Sequence, residues 1–379
     1  MLKRRTADGT LTTSIRQKPD LSELLPHWTD LCGRCLEDNV YYSPHYALPL
    51  MATVAAGKDI KFVTVWDEAR LVALLPVVQQ AYAIPGLAAG GRSWTTDFTF
   101  SCMPLIDRSY AADAAQGLLN GLAALKAGEW VIPQVYTNGS SCLALVDALE
   151  LRHAPWVTRG SFQRASMTVG RSFEEQMAAH VDPKRRRELA RNRRRLEEFG
   201  EVRHEVHMSG QGLDRAVKAF LELEAGGWKG KRGTALANRP DSLNFALRVF
   251  GAGGAAAQCR ADLLLLDGKP IAAGMTVFSG TTGFTVKGAY DESYAKYSAG
   301  LLLEVEVIRS FLTERWAARL DAATNGEHVI DRLWPDRMPV ADLVFSLSPY
   351  AASTRLAALN WMQDGLSRAK STLKGVLRR

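Results

Sequence analysis

The stretch that most constrains this 379-residue chain is Tyr290 to Glu304, Tyr-Asp-Glu-Ser-Tyr-Ala-Lys-Tyr-Ser-Ala-Gly-Leu-Leu-Leu-Glu. It follows an alternating apolar segment, Gly283 to Ala289, and runs into an amphipathic one, Leu301 to Leu312. That order specifies a strand, a short polar turn and a helix. Ser298, Ala299, Gly300 and Leu301 fall at the helix start. Free backbone N–H groups and the positive end of the helix dipole suit that point to a phosphate. A fold that delivers a strand directly into such a helix is α/β in character.

Similar alternation runs through the chain. Leu21 to Asp38 spaces its apolar residues as a helix does, and Tyr42 to Tyr46 is a turn into a second helix. Lys61 to Trp66 and Leu71 to Val78 flank a short polar turn, a hairpin pattern. Ala111 to Lys126 is an Ala/Leu-rich helix, and Trp130 to Tyr136 is a strand whose Pro133 marks an edge or a bulge. Beyond about residue 165 come a basic helix over Phe173 to Phe199, a strand at Val202 to His207, and helices over Gly212 to Gly226 and Asp241 to Phe250. A hairpin follows, closed at Asp267-Gly268. Then come the Gly283 strand, the Gly300 helix, a strand at Arg319 to Ala323 and a last one near Leu343 to Leu347. The first half is a weaker echo of the second. The expected division is a loose N-terminus over 1–20, one domain over 21–165, a second over 166–350 and a basic amphipathic helix over 351–379.

The formal charge is +7, and it is concentrated. Lys184 to Arg195 holds eight basic residues against Glu188 alone, and Ala351 to Arg379 holds six against Asp364. Such clusters imply an anionic partner: phosphate, nucleic acid or a membrane surface. The basic stretch has few interleaved aromatics, which argues against nucleic acid. The tail places Leu356, Leu359, Met362, Leu366, Leu373 and Leu377 at helical spacing, suiting either an anionic membrane or the protein's own surface. No apolar run approaches the ~20 residues of a membrane span, and the basic N-terminus lacks the apolar core of a secretory signal. The five cysteines, at 32, 35, 102, 142 and 259, are odd in number and scattered, as in a reducing compartment. Cys32-x-x-Cys35 has no second pair, so two ordinary thiols and no metal are expected.

Four motifs in order resemble the CelD/BcsL-type branch of the GNAT acyltransferases, a FemAB-like family. They are the basic helix Arg185 to Gly200, Glu224-x-x-Gly-Trp-Lys-Gly-Lys-Arg-Gly-Thr-Ala-Leu236, Asp267 to Ala273, and Tyr290-Asp-x-x-Tyr-Ala-x-Tyr-Ser-x-Gly-Leu-Leu-Leu303. The resemblance covers about residues 170 to 330. It implies tandem GNAT-like domains with mixed twisted sheets, the first degenerate and the second active. It implies an acyl-CoA co-substrate, its pyrophosphate at Ser298 to Leu301, and an amine acceptor. The usual Gly-rich loop is reduced here to Gly300.

Acyl transfer to an amine needs a proton acceptor, a stabilised oxyanion and a leaving thiolate. Backbone N–H groups of Thr285 to Gly288 and the cation of Lys287 can serve the oxyanion. Tyr297, or Tyr290, can protonate the thiolate. Glu327 or His328 can take the amine proton with Asp331 as orienter, in the turn beyond Asp321. Trp228 and Lys229, after a Gly-Gly break, can line the acceptor or acyl channel, as can Tyr290. Each also has a plain structural role available: packing, or a solvated surface. The expected activity is acyl transfer to an envelope-precursor amine, on an amino-sugar of a glycan or a long-chain amine such as a sphingoid base. The expected place is the cytoplasm, against the inner membrane. The alternative is a non-catalytic GNAT fold that binds a cyclic dinucleotide through its arginines and regulates polysaccharide synthesis.

Overall fold

The computed structural model describes residues 2–3, 11–17, 21–80, 90–253 and 258–347. The helix expected over 351–379 and most of the segment 1–20 lie outside them. In the first half the elements are β1 (Leu2–Lys3), β2 (Thr12–Gln17), α1 (Leu21–Arg34), α2 (Pro44–Ala52), β3 (Lys61–Asp67), β4 (Arg70–Gln80), β5 (Gly90–Ser93), β6 (Leu105–Ile106), α3 (Ala111–Ala124), β7 (Trp130–Tyr136), α4 (Ser140–Glu150) and β8 (Trp156–Thr168). The second half adds α5 (Phe173–His180), α6 (Pro183–Glu197), β9 (Val202–His207), α7 (Gly210–Gly226), α8 (Trp228–Lys231), α9 (Pro240–Phe250), β10 (Cys259–Leu266), β11 (Lys269–Ser279), β12 (Thr282–Tyr290), α10 (Ala299–Glu314), β13 (Arg319–Asp321) and β14 (Asp336–Phe345).

One mixed sheet carries both halves, in the order β1-β2-β3-β4-β5-β7-β14-β8-β13-β12-β11-β10-β9, with β6 on β4. The halves repeat. After β2 come two helices, the β3–β4 hairpin, β5, helix α3 and β7 parallel to β5. After β9 come α7 to α9, the β10–β11 hairpin, β12, helix α10 and β13 parallel to β12. The closing strands are exchanged. The end of β8 pairs with β13 of the second unit, and β14 inserts between β7 and β8. The division expected at 165/166 therefore falls inside a strand shared by both units.

Two further expectations change, and a third is narrowed. Thr12–Gln17, inside the segment expected to be loose, is a strand in register with Lys61–Trp66. The basic helix is two helices, broken before Pro183. Proline has no N–H to continue α5 but suits a first turn, and the Asp182 side chain accepts from the N–H groups of Lys184 and Arg185 at 2.8 and 3.2 Å. Pro133 lies in an interior strand, not at an edge. The ladder shifts beside it between Ala341 and Leu343, and Gln134 has φ of 52°, so the bulge reading holds.

The halves share a core. Tyr41 packs edge-on against Phe284 at 5.5 Å, and Tyr46 and Phe98 pack on Phe245 at 5.3 and 5.1 Å. In both units a side chain covers a glycine where the parallel strands pair. At β5 and β7 the Trp130 ring lies over Gly91, where an added Cβ would stand 2.5 Å from it. In the second unit Leu320 stands against Gly283 in the same way, 2.8 Å from an added Cβ. Among the described residues no helix is long and apolar enough to cross a membrane, and no group of His, Cys, Asp and Glu is placed to hold a metal. Cys32 and Cys35 are unbonded thiols, and burial pushes Cys32 up to about 12.

Candidate active site

β12 and β13 pair only from Thr282 to Phe284 against Arg319 to Asp321. The last tie is Thr285 Oγ1 donating to the Asp321 carbonyl at 3.2 Å. β13 then ends while β12 runs on to Tyr290. The main-chain groups of β12 on that side have no strand partner among the described residues, and a cleft of about 590 Å³ opens there. Its far wall is Ala322 to Thr324 and His328 to Ile330. That wall is braced from the first half. Asp321 accepts from the Tyr136 hydroxyl and lies 3.7 Å from the buried Arg164, whose Nε donates to the Thr324 carbonyl at 2.9 Å.

A bulge aims the cation. Met275 faces Lys287 and Thr276 faces Thr285, so Val286 is the extra residue on β12. A bulge of this kind re-aims the side chain that follows. The Lys287 ammonium sits 5.1 Å over the Phe98 ring and 4.0 Å from Glu224 Oε1. Glu224 is 2% exposed. It accepts from Lys229 Nζ at 2.9 Å and from the Leu236 N–H at 2.8 Å. Burial holds the Lys287 ammonium below its ordinary range, Glu224 opposing and Lys229 adding to that effect.

On the other face of the sheet the cleft reaches α10. Ser298 has φ of 58° and its side chain does not cap the helix. Leu301 and Leu302 N–H groups both turn to the Ser298 carbonyl at 2.9 and 3.0 Å. Ser298 Oγ accepts from Asn192 Nδ2 at 3.4 Å. Tyr290 covers Gly300, where an added Cβ would stand 3.2 Å from its ring. One turn along α10, Glu304 lines the cleft and accepts from Trp334 Nε1 at 2.7 Å. Burial pushes its carboxyl up to about 7, the Trp334 hydrogen bond lowering it and Asp262 raising it. Asp262 is held by Arg260 and His204, each at 2.9 Å.

The cleft thus gathers Trp228, Lys229, Lys287, Tyr290, Ser298, Gly300, Leu301 and His328. Four expected site residues stand apart. The Ala299 side chain is fully buried in the core, leaving only its N–H to the helix start. Tyr297 is buried against Phe199 at 5.7 Å with Lys296 at 4.9 Å over its ring, so its hydroxyl is not at the strand gap. Glu327 is exposed and outside the cleft. Asp331 accepts from the His328 main-chain N–H at 2.8 Å, and so orients the turn rather than the ring. His328 Nδ1 accepts from the Ile330 N–H at 3.4 Å, which leaves the proton of neutral imidazole on Nε2. Burial lowers its proton affinity, Asp331 opposing and Lys229 adding. In that tautomer the ring turns its Nε2–H outward, and His328 lines the cleft. Two carboxylates are additions: Glu304 in the cleft, and Glu224 in a small recess beside it that shares Trp228, Lys229 and Tyr290. Each is a carboxylate on an otherwise apolar helix stripe, after Phe220 and Leu221 in α7 and beside Leu303 and Val307 in α10.

Residues 183–328 match the family described as acetyltransferase (GNAT) domain. Over those residues the chain is similar to GNAT-type acetyltransferase domains. No curated protein matches the chain in sequence. Similar folds include the C-terminal domain of a protein from Agrobacterium fabrum described as a lysylphosphatidylglycerol synthetase (13% identity, TM-score 0.55, covering 91% of this chain and 96% of that one). FemX is similar at 11% identity and TM-score 0.55 over 85% of this chain and 96% of that one. A protein of unknown function from Bacteroides thetaiotaomicron is similar at 13% and 0.55, over 88% of this chain and all of that one. The GNAT match begins at α6 and ends at His328, so it contains Glu224, Lys287, Glu304 and the start of α10.

Proposed function

We propose that the second unit transfers an acyl group from acyl-CoA to the amine of an envelope-precursor amino-sugar. The observation that carries this reading is the open edge of β12 between the α10 start and Lys287. An open strand edge pairs with amide groups, and the pantetheine arm of CoA carries two. Laid along the edge, the arm puts its diphosphate at Ser298 to Leu301 and its thioester near the bulge. The Lys287 ammonium then faces the carbonyl oxygen, a task that preorganised cations and N–H donors perform in dry sites. Glu224, the buried carboxylate beside Lys287, takes the amine's proton. Glu304, which holds a proton near neutral pH, returns one to the departing thiolate. Attack forms the C–N bond, and collapse of the tetrahedral adduct breaks C–S.

The rim supports a sugar over a long-chain amine. Trp228 is 49% exposed, with Arg232 and Lys229 at 5.2 and 6.0 Å from its ring, a platform suited to a sugar face with polar groups around it. The resemblance of the Trp228-Lys229-Gly230 element to CelD/BcsL-type enzymes points the same way. One similar fold is described as making a modified lipid, which keeps the setting at the envelope. The test is calorimetric titration with acetyl-CoA and palmitoyl-CoA, repeated with Gly300→Trp. Micromolar binding of acetyl-CoA, lost in the variant, is expected. Preference for palmitoyl-CoA would move the acceptor toward lipid, and no binding of either would sink the donor assignment.

A further inference from the structure

α6 brings an unclaimed cationic face beside the start of α10. At 100° per residue, Lys184, Arg191 and Arg195 fall on one stripe, spaced i, i+7, i+11, over about 16 Å. All three are exposed, and none has a salt-bridge partner among the described residues. Their acidic neighbour Glu188 is taken by Arg185 at 2.8 Å. The stripe borders the α10 start, because the residues flanking it in the helix make that contact. Asn192 donates to Ser298, and Phe199, 60% exposed, packs edge-on to Tyr297. Arg195 lies between them, three residues after Asn192 and four before Phe199, on the same side. Of the other basic positions, Arg193 is spent on Glu197 and Glu306 at 2.8 and 2.9 Å, Arg186 on the Val181 carbonyl at 3.2 Å and Arg187 on the Pro183 carbonyl at 3.3 Å, while Arg194 is exposed to one side of the stripe.

We propose that this face of α6 holds the nucleotide end of the donor, the 3′-phosphate on Arg191 and Arg195 and the adenine against Phe199. Guanidinium groups suit a phosphate monoester, which they meet with paired N–H donors, and an exposed aromatic ring at the end of a cationic track is a stacking platform for a base. The inference rests on the acyl-CoA reading and adds what that reading does not need: discrimination among donors that share the same pantetheine and thioester. A polynucleotide is the rival anion for such a stripe, but Arg191, Arg195 and Phe199 lie within about two helical turns beside the α10 start, which fits one nucleotide.

The test compares CoA, 3′-dephospho-CoA and 4′-phosphopantetheine by calorimetry on the full chain, then on Arg191→Ala/Arg195→Ala and on Phe199→Ala. These side chains are exposed, so the fold is expected to survive. Wild type should bind CoA about tenfold tighter than dephospho-CoA, the scale of one charge-assisted contact at a partly solvated site. The double arginine variant should abolish that ratio while still binding dephospho-CoA as wild type does. Phe199→Ala should weaken CoA and dephospho-CoA by one common factor and leave phosphopantetheine unchanged. Equal binding of CoA and dephospho-CoA by wild type, or a ratio that persists in the variant, would overturn the inference and leave the donor reading standing. Failure of all three ligands to bind wild type would overturn both. RNA that binds wild type more tightly than CoA and loses affinity in the arginine variant would assign the stripe to a polynucleotide instead.

Discussion

Glu304→Gln separates the cleft's electrostatics from its packing. A carboxyl held at about 7 instead of 4.5 corresponds to about 3 kcal/mol, at roughly 1.4 kcal/mol per tenfold in proton affinity. Contact with solvent in the cleft reduces this to about 1–3 kcal/mol. The sign follows from proton binding. Between pH 4.5 and 7 the folded protein holds a proton on Glu304 that the unfolded chain has lost. The stability this group contributes is therefore complete below pH 4.5 and is lost as pH rises through 7. Glutamine keeps the oxygen that Trp334 Nε1 bonds and stays neutral throughout. Urea unfolding of both proteins at pH 4.5 and pH 8 removes every other titrating group from the comparison. The variant is expected to match wild type at pH 4.5 and exceed it by about 1–3 kcal/mol at pH 8. A difference that is the same at both pH values would refute the reasoning. The turnover rate of wild type should fall above pH 7 as the proton donor is lost, and that of the variant should be low and flat.

Lys287→Met should lower kcat by about 10²–10³-fold with the donor KM little changed, the effect of removing one oxyanion-stabilising group. Glu224 keeps Lys229 and the Leu236 N–H, so the melting temperature should stay close to wild type; an effect confined to KM would remove Lys287 from the reacting centre. Gly91→Ala forces a methyl against the Trp130 ring in the first unit and should cost about 1–3 kcal/mol of stability. Activity per folded molecule should be unchanged, and a loss of turnover would show that the packing between β5 and β7 matters to the reaction.

Much of the second unit was legible because its local signals agree. The Asp267-Gly268 turn between alternating apolar segments predicted the β10–β11 hairpin, and the small residues at 298–300 predicted the start of α10. β5 was not legible, since Gly90-Gly-Arg-Ser93 has no strand propensity and is held by β4 and β7. β8 alternates Arg, Gly, Ser and Gln with apolar residues, and much of its first part is exposed, so burial gives it a weak pattern. The cleft's residue set was partly legible. Lys287 stood out as a cation in an apolar strand, but its direction depends on a bulge visible only in the register with β11. Glu224 and Glu304 had a signal, a carboxylate on an apolar helix stripe. It points to a partner or a function without naming either, and the partners lie far off in sequence: Lys287 for one and Trp334 for the other.

The exchange of β8 and β14 ties the first unit to the second. Phe98 stands under Lys287, and Tyr136 and Arg164 hold the carboxylate of Asp321 where β12 and β13 part. Tyr136 and Arg164 come from β7 and β8, which flank β14 in the sheet. A buried carboxylate with one cation and one hydroxyl is costly to leave unpaired, so the width of the gap is set by residues that contribute nothing else to it. Opening a strand pair for a ligand exposes backbone groups that a sheet normally satisfies. A fixed neighbour that braces one side lets the gap persist without collapsing onto β12. The first unit, on this view, is the brace.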